Sequence, residues 1–259
     1  MPGGTMAAHM GQEEHDRDAV ARGRALTALV RPYLPVDVLV HGPADAWPLV
    51  GPALIARATG SLEAILALVP LRREADAGTL LRSLYEHVTT FAWLAAEPGE
   101  ERMRRWLKSD CEARLRTDDD CRKVGVKILD DDTRKELEET VAALPKGMPV
   151  LLDRAQAADA HWVSRITGLR DSTTPTSFRG LYAAAYRRFS AIAHPTNLGL
   201  NPVAVDLDGP HTRVQLEERP PDMEGPFGLA TIVYALGLYV AAETIAWPTK
   251  FEIDRVLTR

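Results

Sequence analysis

The sequence predicts an all-α protein, a helical bundle of five or more helices with one minor β-hairpin. Only 6% of its 259 residues are aromatic, and it is rich in Ala, Leu and Arg, a composition that suits packed helices better than sheets. In several segments the apolar residues also recur at the three- and four-residue spacing of a helix face. A chain of this length can bury a sizeable core. We therefore expect a single helical domain over residues 16–259, with its core bundle at about 45–246.

Prolines and glycines divide the chain into the predicted elements. We expect helices at about 16–31, 44–69, 77–96, 99–123, 178–194 and 226–246, with shorter helices within 130–170. The segments 77–96, 178–194 and 226–246 are expected to form the core. A hairpin is predicted over 203–216, because alternating residues flank Asp208-Gly209. Residues 1–15 are interpreted as a disordered leader without the features of a signal peptide.

Charge, cysteine content and hydropathy narrow the class of protein. The net charge of −5 gives no global basic field for nucleic acid. Cys111 and Cys121 form neither a disulfide framework nor a CxxC pair. The uncharged stretch 226–242 is flanked by Glu224 and Glu243, which favours the central helix of a bundle over a membrane span. We predict a cytoplasmic protein that does not insert into a membrane.

The end of the 178–194 helix carries the residues most suggestive of chemistry. Arg187, Ser190 and His194 are spaced at i, i+3 and i+7, so a regular helix places them on one face. His194 is the candidate general acid or base, because imidazole titrates near neutral pH. Arg187 or Arg188 is the candidate for stabilising an anionic phosphate. The alternative is an ordinary charged helix end, where His194 interacts with the helix dipole.

A second polar line runs along the predicted 77–96 helix. Arg82 and Glu86 are four residues apart and can pair, and Thr89 and Trp93 lie on the same side. A buried Arg82–Glu86 pair facing His194 would form a polar site inside the bundle. The alternative is a simple salt bridge.

Two charged runs have other possible roles. The basic run within 102–116 can either track a phosphate backbone or anchor an amphipathic helix. The aspartates at 118–120 and 130–132 suggest a metal, but no second metal-binding motif follows. The chain also lacks a Walker loop, GxGxxG, HExxH, GxSxG and zinc-ligand spacing. We expect no metal and no cofactor.

Two stretches, Leu80–Glu86 followed by Trp93-Leu94, and Tyr186–His194, resemble a bacterial family of uncharacterised helical proteins. That family looks related to the HEPN superfamily (higher eukaryotes and prokaryotes nucleotide-binding). HEPN ribonucleases end a long helix with an arginine, four to six further residues and a histidine. Arg188, five residues and His194 fit this count, although Phe189 stands where a small polar residue is usual. The resemblance implies a frequently dimeric helical bundle that cuts RNA without metal.

Two hypotheses about function follow. The first is a metal-independent endoribonuclease, or a defence- or toxin-type protein that acts on RNA, and the resemblance implies that it is a homodimer. The second is a non-catalytic or small-molecule-binding bundle with a buried network of Arg82, Glu86, Ser190 and His194. An open cleft or dimer groove lined by Arg188 and His194 would favour the nuclease, and a closed network would favour the second.

Overall fold

A computed structural model describes residues 4–34, 46–71, 73–144, 146–166, 177–193, 203–208, 211–218 and 225–258. Its helices are α1 (Gly4–Val30), α2 (Trp47–Leu68), α3 (Glu74–Ala96), α4 (Glu100–Lys123), α5 (Asp131–Ala143), α6 (Leu151–Trp162), α7 (Phe178–Leu181), α8 (Arg188–Ala193), α9 (Pro226–Thr244) and α10 (Lys250–Leu257). A π-helical segment, Tyr182–Arg187, joins α7 to α8, and we call the continuous element the 178–193 helix. Strands β1 (Val203–Asp208) and β2 (His211–Glu218) pair antiparallel.

The helices confirm the predicted all-α class. The boundaries differ most at the N-terminus, where α1 begins at Gly4, well before the predicted start near residue 16. The segment 130–170 contains α5 and α6 as separate short helices. Short 3₁₀ turns, Arg31–Tyr33 and Val69–Leu71, follow α1 and α2.

Helix α3 lies at the centre of the bundle and contacts α2, α6, α9 and the 178–193 helix. Its first half buries one stripe, which includes Leu81, Leu84 and Tyr85, whereas every residue from Val88 to Ala96 is buried. A helix that is buried all round must have neighbours on every side. The position of α3 therefore decides where the other helices place their polar side chains.

Helix α9 is the second central helix. The stretches Trp47–Leu71 and Pro226–Thr244 are both long and apolar enough to cross a membrane, which by itself is weak evidence. Of the most apolar window of α9, 72% is buried inside the bundle. Burial of this extent is what a core helix requires.

Buried hydrogen bonds connect the core helices. Thr59 Oγ1 of α2 lies 2.7 Å from the Tyr234 hydroxyl of α9. The Trp162 indole of α6 donates to the carbonyl oxygen of Ala92 in α3 at 2.9 Å. Because buried polar groups are costly when unpaired, such bonds select one arrangement of the helices.

Helices α4 and α5 form a hairpin whose turn is organised by Asp118. This carboxylate has no exposed surface and accepts from Arg122 Nε at 2.5 Å and Arg134 Nη1 at 2.7 Å. It also accepts from the backbone amides of Ile128 and Leu129. Burial alone would raise the pKa of Asp118, but the hydrogen bonds from the two arginines outweigh it and hold the pKa below its ordinary value.

The aspartate runs that suggested a metal thus include residues with structural roles. Asp118 holds the turn between α4 and α5, and Asp130 caps α5 by accepting from the Thr133 amide at 2.7 Å. Within the described ranges, no group of three or more His, Cys, Asp or Glu side chains is arranged to hold a metal ion.

Candidate functional site

The polar line of α3 meets the 178–193 helix at Arg82. The guanidinium carbon of Arg82 lies 5.2 Å from the centroid of the Tyr186 ring, a cation–π distance. Both side chains are partly buried. The polar side of α3 therefore contacts the helix that leads to the predicted catalytic residues.

Three tyrosines form an aromatic cluster at this contact. The rings of Tyr182 and Tyr186 are stacked, with centroids 5.4 Å apart and planes inclined by 20°. Tyr85 of α3 packs against both at 6.4 Å and 6.1 Å, in tilted arrangements. Tyr85 is buried, whereas Tyr182 and Tyr186 keep part of their surface exposed. The result is a partly exposed pair of rings with an arginine beside them.

The first turn of the 178–193 helix is held from two sides. Ser177 caps it by accepting from the Gly180 amide at 2.9 Å. The Asp159 carboxylate of α6 accepts from the Phe178 amide at 2.7 Å, and burial raises the pKa of Asp159. The Tyr85 hydroxyl donates to the Phe178 carbonyl oxygen at 2.6 Å. These bonds fix the start of the helix relative to α3 and α6.

The middle of this helix departs from α-helical geometry. The π-helical segment Tyr182–Arg187 contains both stacked tyrosines and ends at the first of the two arginines. π-Helical turns are rare and occur frequently at functional sites. Beyond it, α8 packs closely on α3, because the buried ring of Phe189 lies over Gly78.

The predicted site residues are only partly brought together. Arg187 is exposed, whereas Arg188 and Ser190 are partly buried. The Arg188 guanidinium carbon lies 5.8 Å from the centroid of the Phe189 ring. His194 lies outside the described residues, so its predicted proximity to Glu86 stays a prediction.

Arg82 and Glu86 do not form, among the described residues, the ion pair that their spacing allows. Both side chains are partly buried, but among the ion pairs of the described chain neither residue takes part. The physical reason is that the Arg82 guanidinium lies over the Tyr186 ring instead.

An arginine that sequence reasoning missed lies beside this site. Arg154 of α6 is only 7% exposed, and its Nη1 donates to Thr90 Oγ1 of α3. Burial lowers the pKa of Arg154, while the nearby Glu86 carboxylate acts in the opposite direction. The sequence does contain a signal, because Leu151, Ala155 and Trp162 define the buried stripe of α6 and Arg154 falls within it.

Three residues of the basic run of α4 make structural contacts, whereas Arg104, Arg114 and Arg116 are exposed. Arg102 and Arg105 lie within cation–π distance of Trp93, at 5.2 Å and 5.8 Å from its ring centroid. Arg105 Nε also donates to the Gly147 carbonyl oxygen at 3.2 Å, and Lys108 Nζ to that of Leu144 at 3.0 Å. These contacts favour the anchoring interpretation of the run.

Fold and site together define a helical-bundle protein with an aromatic and cationic surface between α3 and the 178–193 helix. A family model, described as a family of unknown function (DUF5677), matches residues 49–211, which is more than half of the chain. The chain belongs to this family. No curated protein and no solved structure matches it.

Proposed function

We propose that the protein acts on RNA as a metal-independent endoribonuclease of the HEPN type. The observation that carries the proposal is the partly exposed Tyr182–Tyr186 stack with Arg82 beside it. Proteins bind unpaired RNA bases by stacking them on aromatic rings and on arginine planes. This surface immediately precedes Arg187, Arg188 and the position of His194 in the chain.

The proposed reaction uses the 2′-hydroxyl of the RNA as the nucleophile. Its oxygen attacks the adjacent phosphorus, and the bond from phosphorus to the 5′-oxygen breaks. The base accepts the 2′-hydroxyl proton, and the acid gives a proton to the departing 5′-oxygen; His194 takes one of these roles. Arg188 or Arg187 stabilises the negative charge of the phosphorane. The products are a 2′,3′-cyclic phosphate and a 5′-hydroxyl.

Three features support this proposal. The spacing of Arg188 and His194 fits the HEPN count, which is a resemblance and not a family match. Arg187 is exposed at the end of the π-helical segment, where a phosphate can approach it. Tyr186 directly precedes Arg187 in the chain and Tyr182 lies about one turn earlier, so the aromatic pair can hold a base close to the phosphate being cut.

The test is cleavage of a structured RNA pool in the presence of EDTA. Wild-type protein should cleave, and His194→Ala should lose about 10²–10⁴-fold in rate. Arg188→Ala should lose a comparable factor. Arg179→Ala is the matched control, because it removes an exposed arginine from the first turn of the same helix. Absence of cleavage by the wild type, or equal cleavage by all four proteins, would refute the proposal.

RNA binding can be measured separately in the His194→Ala background. Tyr186→Leu should weaken binding of a single-stranded RNA, because one base–aromatic stack contributes about 1–3 kcal/mol. Tyr186→Phe retains the ring and should retain the affinity. Equal weakening by both substitutions would show that the ring does not form the binding surface.

A second candidate function is a non-catalytic or small-molecule-binding bundle with a network of Arg82, Glu86, Ser190 and His194. The observation that favours it is the partial burial of Arg82, Glu86 and Ser190 next to the buried Arg154. In this case the wild type would not cleave RNA, and His194→Ala would lower the melting temperature clearly because a buried partner is lost. We also propose that the protein is a homodimer and that it is located in the cytoplasm.

A further inference from the structure

Arg154 is a buried cation with an incomplete set of partners. It extends from α6 toward α3, where its Nη1 donates to Thr90 Oγ1 and approaches the Met148 sulfur at 4.0 Å. Its Nε is buried and has no hydrogen-bond partner among the described residues. A buried donor without a partner is costly, and more so when the group is charged.

The geometry of the guanidinium indicates which kind of partner would fit Arg154. The two bonds that the described residues offer Arg154 both use Nη1. The opposite edge, formed by Nε and Nη2, is therefore available. Two parallel N–H groups on one edge match the two oxygens of a carboxylate or a phosphate, which is the bidentate arrangement that arginine favours.

The buried positive charge of Arg154 also calls for an anionic partner. A buried cation is normally paired with an anion. Arg154 forms no ion pair with any described carboxylate, although Glu86 is close enough to act on it electrostatically. Tyr85 also acts on it from α3, but burial raises the pKa of this phenol, so it carries no negative charge at neutral pH.

We infer that Arg154 binds a small oxyanion, the carboxylate or phosphate group of a ligand, through its Nε–Nη2 edge between α3, α6 and the 178–193 helix. Because Nε is shielded from solvent and the whole residue is only 7% exposed, binding requires a local opening between these helices, which a small oxyanion can use and an RNA backbone cannot. The inference goes beyond both proposed functions, since Arg154 belongs to neither set of residues.

The test follows the side-chain Nε–H resonance of Arg154 in the ¹⁵N-labelled full chain during titration with inorganic phosphate or with acetate. The resonance is identified by its absence in Arg154→Lys. Chloride at matched ionic strength controls for general salt effects. We expect saturable movement of this resonance and a rise in melting temperature of several degrees at anion concentrations well above Kd. Movement with phosphate alone assigns a phosphate ligand, and movement with acetate alone assigns a carboxylate.

Two variants make the result specific. Arg154→Lys keeps the positive charge but lacks the two parallel N–H groups of the guanidinium. The apparent affinity for the anion, measured from the rise in melting temperature, should therefore fall at least tenfold. Arg102→Lys is the matched control, because Arg102 is a largely buried arginine that is already paired with Glu97 at 2.9 Å; it should respond like the wild type. The inference is overturned if neither anion moves the Nε–H resonance, or if Arg154→Lys retains the full thermal response. No RNA is used, so this outcome is independent of the cleavage test.

Discussion

The aromatic ring of Phe189 lies directly over the backbone of Gly78, and a Cβ atom at Gly78 would overlap with that ring. Because Arg188 directly precedes Phe189 in the chain, this contact also constrains where Arg188 lies relative to α3. The absence of a side chain at position 78 is therefore a requirement of the site as well as of the core.

We predict that Gly78→Ala lowers the stability of the protein. Overpacking of a core costs about 1–3 kcal/mol, which exceeds the roughly 1 kcal/mol that alanine gains over glycine in a helix. Thermal unfolding should show a decrease of a few degrees in Tm. Gly60→Ala is the control, because Gly60 is in the exposed part of α2 with no atom near its Cβ position. That variant should be stabilised, and a stabilised Gly78→Ala would contradict the close contact.

Asp118→Asn should loosen the turn between α4 and α5 without unfolding the bundle. The substitution keeps the shape of the side chain but removes the negative charge that Arg122 and Arg134 share. Hydrogen exchange of the Ile128 and Leu129 amides, both of which donate to Asp118, should accelerate. Asp120→Asn is the control, since Asp120 is exposed and pairs with Lys123. Unchanged protection of the two amides in Asp118→Asn would show that the carboxylate does not hold the turn.

The same carboxylate predicts a dependence of stability on pH. Because the pKa of Asp118 is lowered in the folded protein, its contribution is fully present above the ordinary aspartate pKa of about 3.9. The contribution is lost as the pH falls below that value toward the lowered folded-state pKa. Thermal unfolding between pH 6 and pH 2 should show a smaller acid destabilisation in Asp118→Asn than in the wild type. Parallel curves for the two proteins would argue against a lowered pKa.

Tyr234→Phe should weaken the connection between α2 and α9. The variant loses the 2.7 Å hydrogen bond to Thr59, whose hydroxyl still donates to the Ile55 carbonyl oxygen. The loss should be about 0.5–1.5 kcal/mol in the free energy of unfolding, measured by denaturant titration. Tyr33→Phe serves as the control, because Tyr33 is stacked on Trp247 and its hydroxyl makes no hydrogen bond within the described part of the chain. Equal stability of both variants would exclude a contribution from the bond.

The central helices could be predicted from sequence because burial leaves a periodic signal. The apolar stripe of α3 and the uncharged run of α9 both reflect a helix that must be covered by others. The start of α1 was less predictable, since Gly4 and the residues after it carry neither a cap nor an apolar stripe that marks the boundary.

The candidate site was harder to predict than the core. Arg82 of the polar line of α3 contacts the 178–193 helix, whereas the sequence spacing indicated Glu86 of the same helix as its partner. The observed partner, Tyr186, lies on another helix. Which residues of two helices meet depends on the packing angle between them, and a sequence pattern does not contain this angle. Arg154 was missed because its neighbours in the sequence look like an ordinary amphipathic helix.

The π-helical segment has a consequence for how this family can vary. In a regular α-helix each residue turns the chain by about 100°. Removing one residue from Tyr182–Arg187 would restore α-helical hydrogen bonding. Arg188 and the residues after it would then rotate by about that angle around the helix axis. Arg188 would then face a different side of the bundle, and the ring of Phe189 would leave its place over Gly78. A relative with a single-residue deletion in this segment should therefore present different residues at the site and carry compensating changes where Phe189 packs on α3, so this segment couples the surface of the site to the core beneath it.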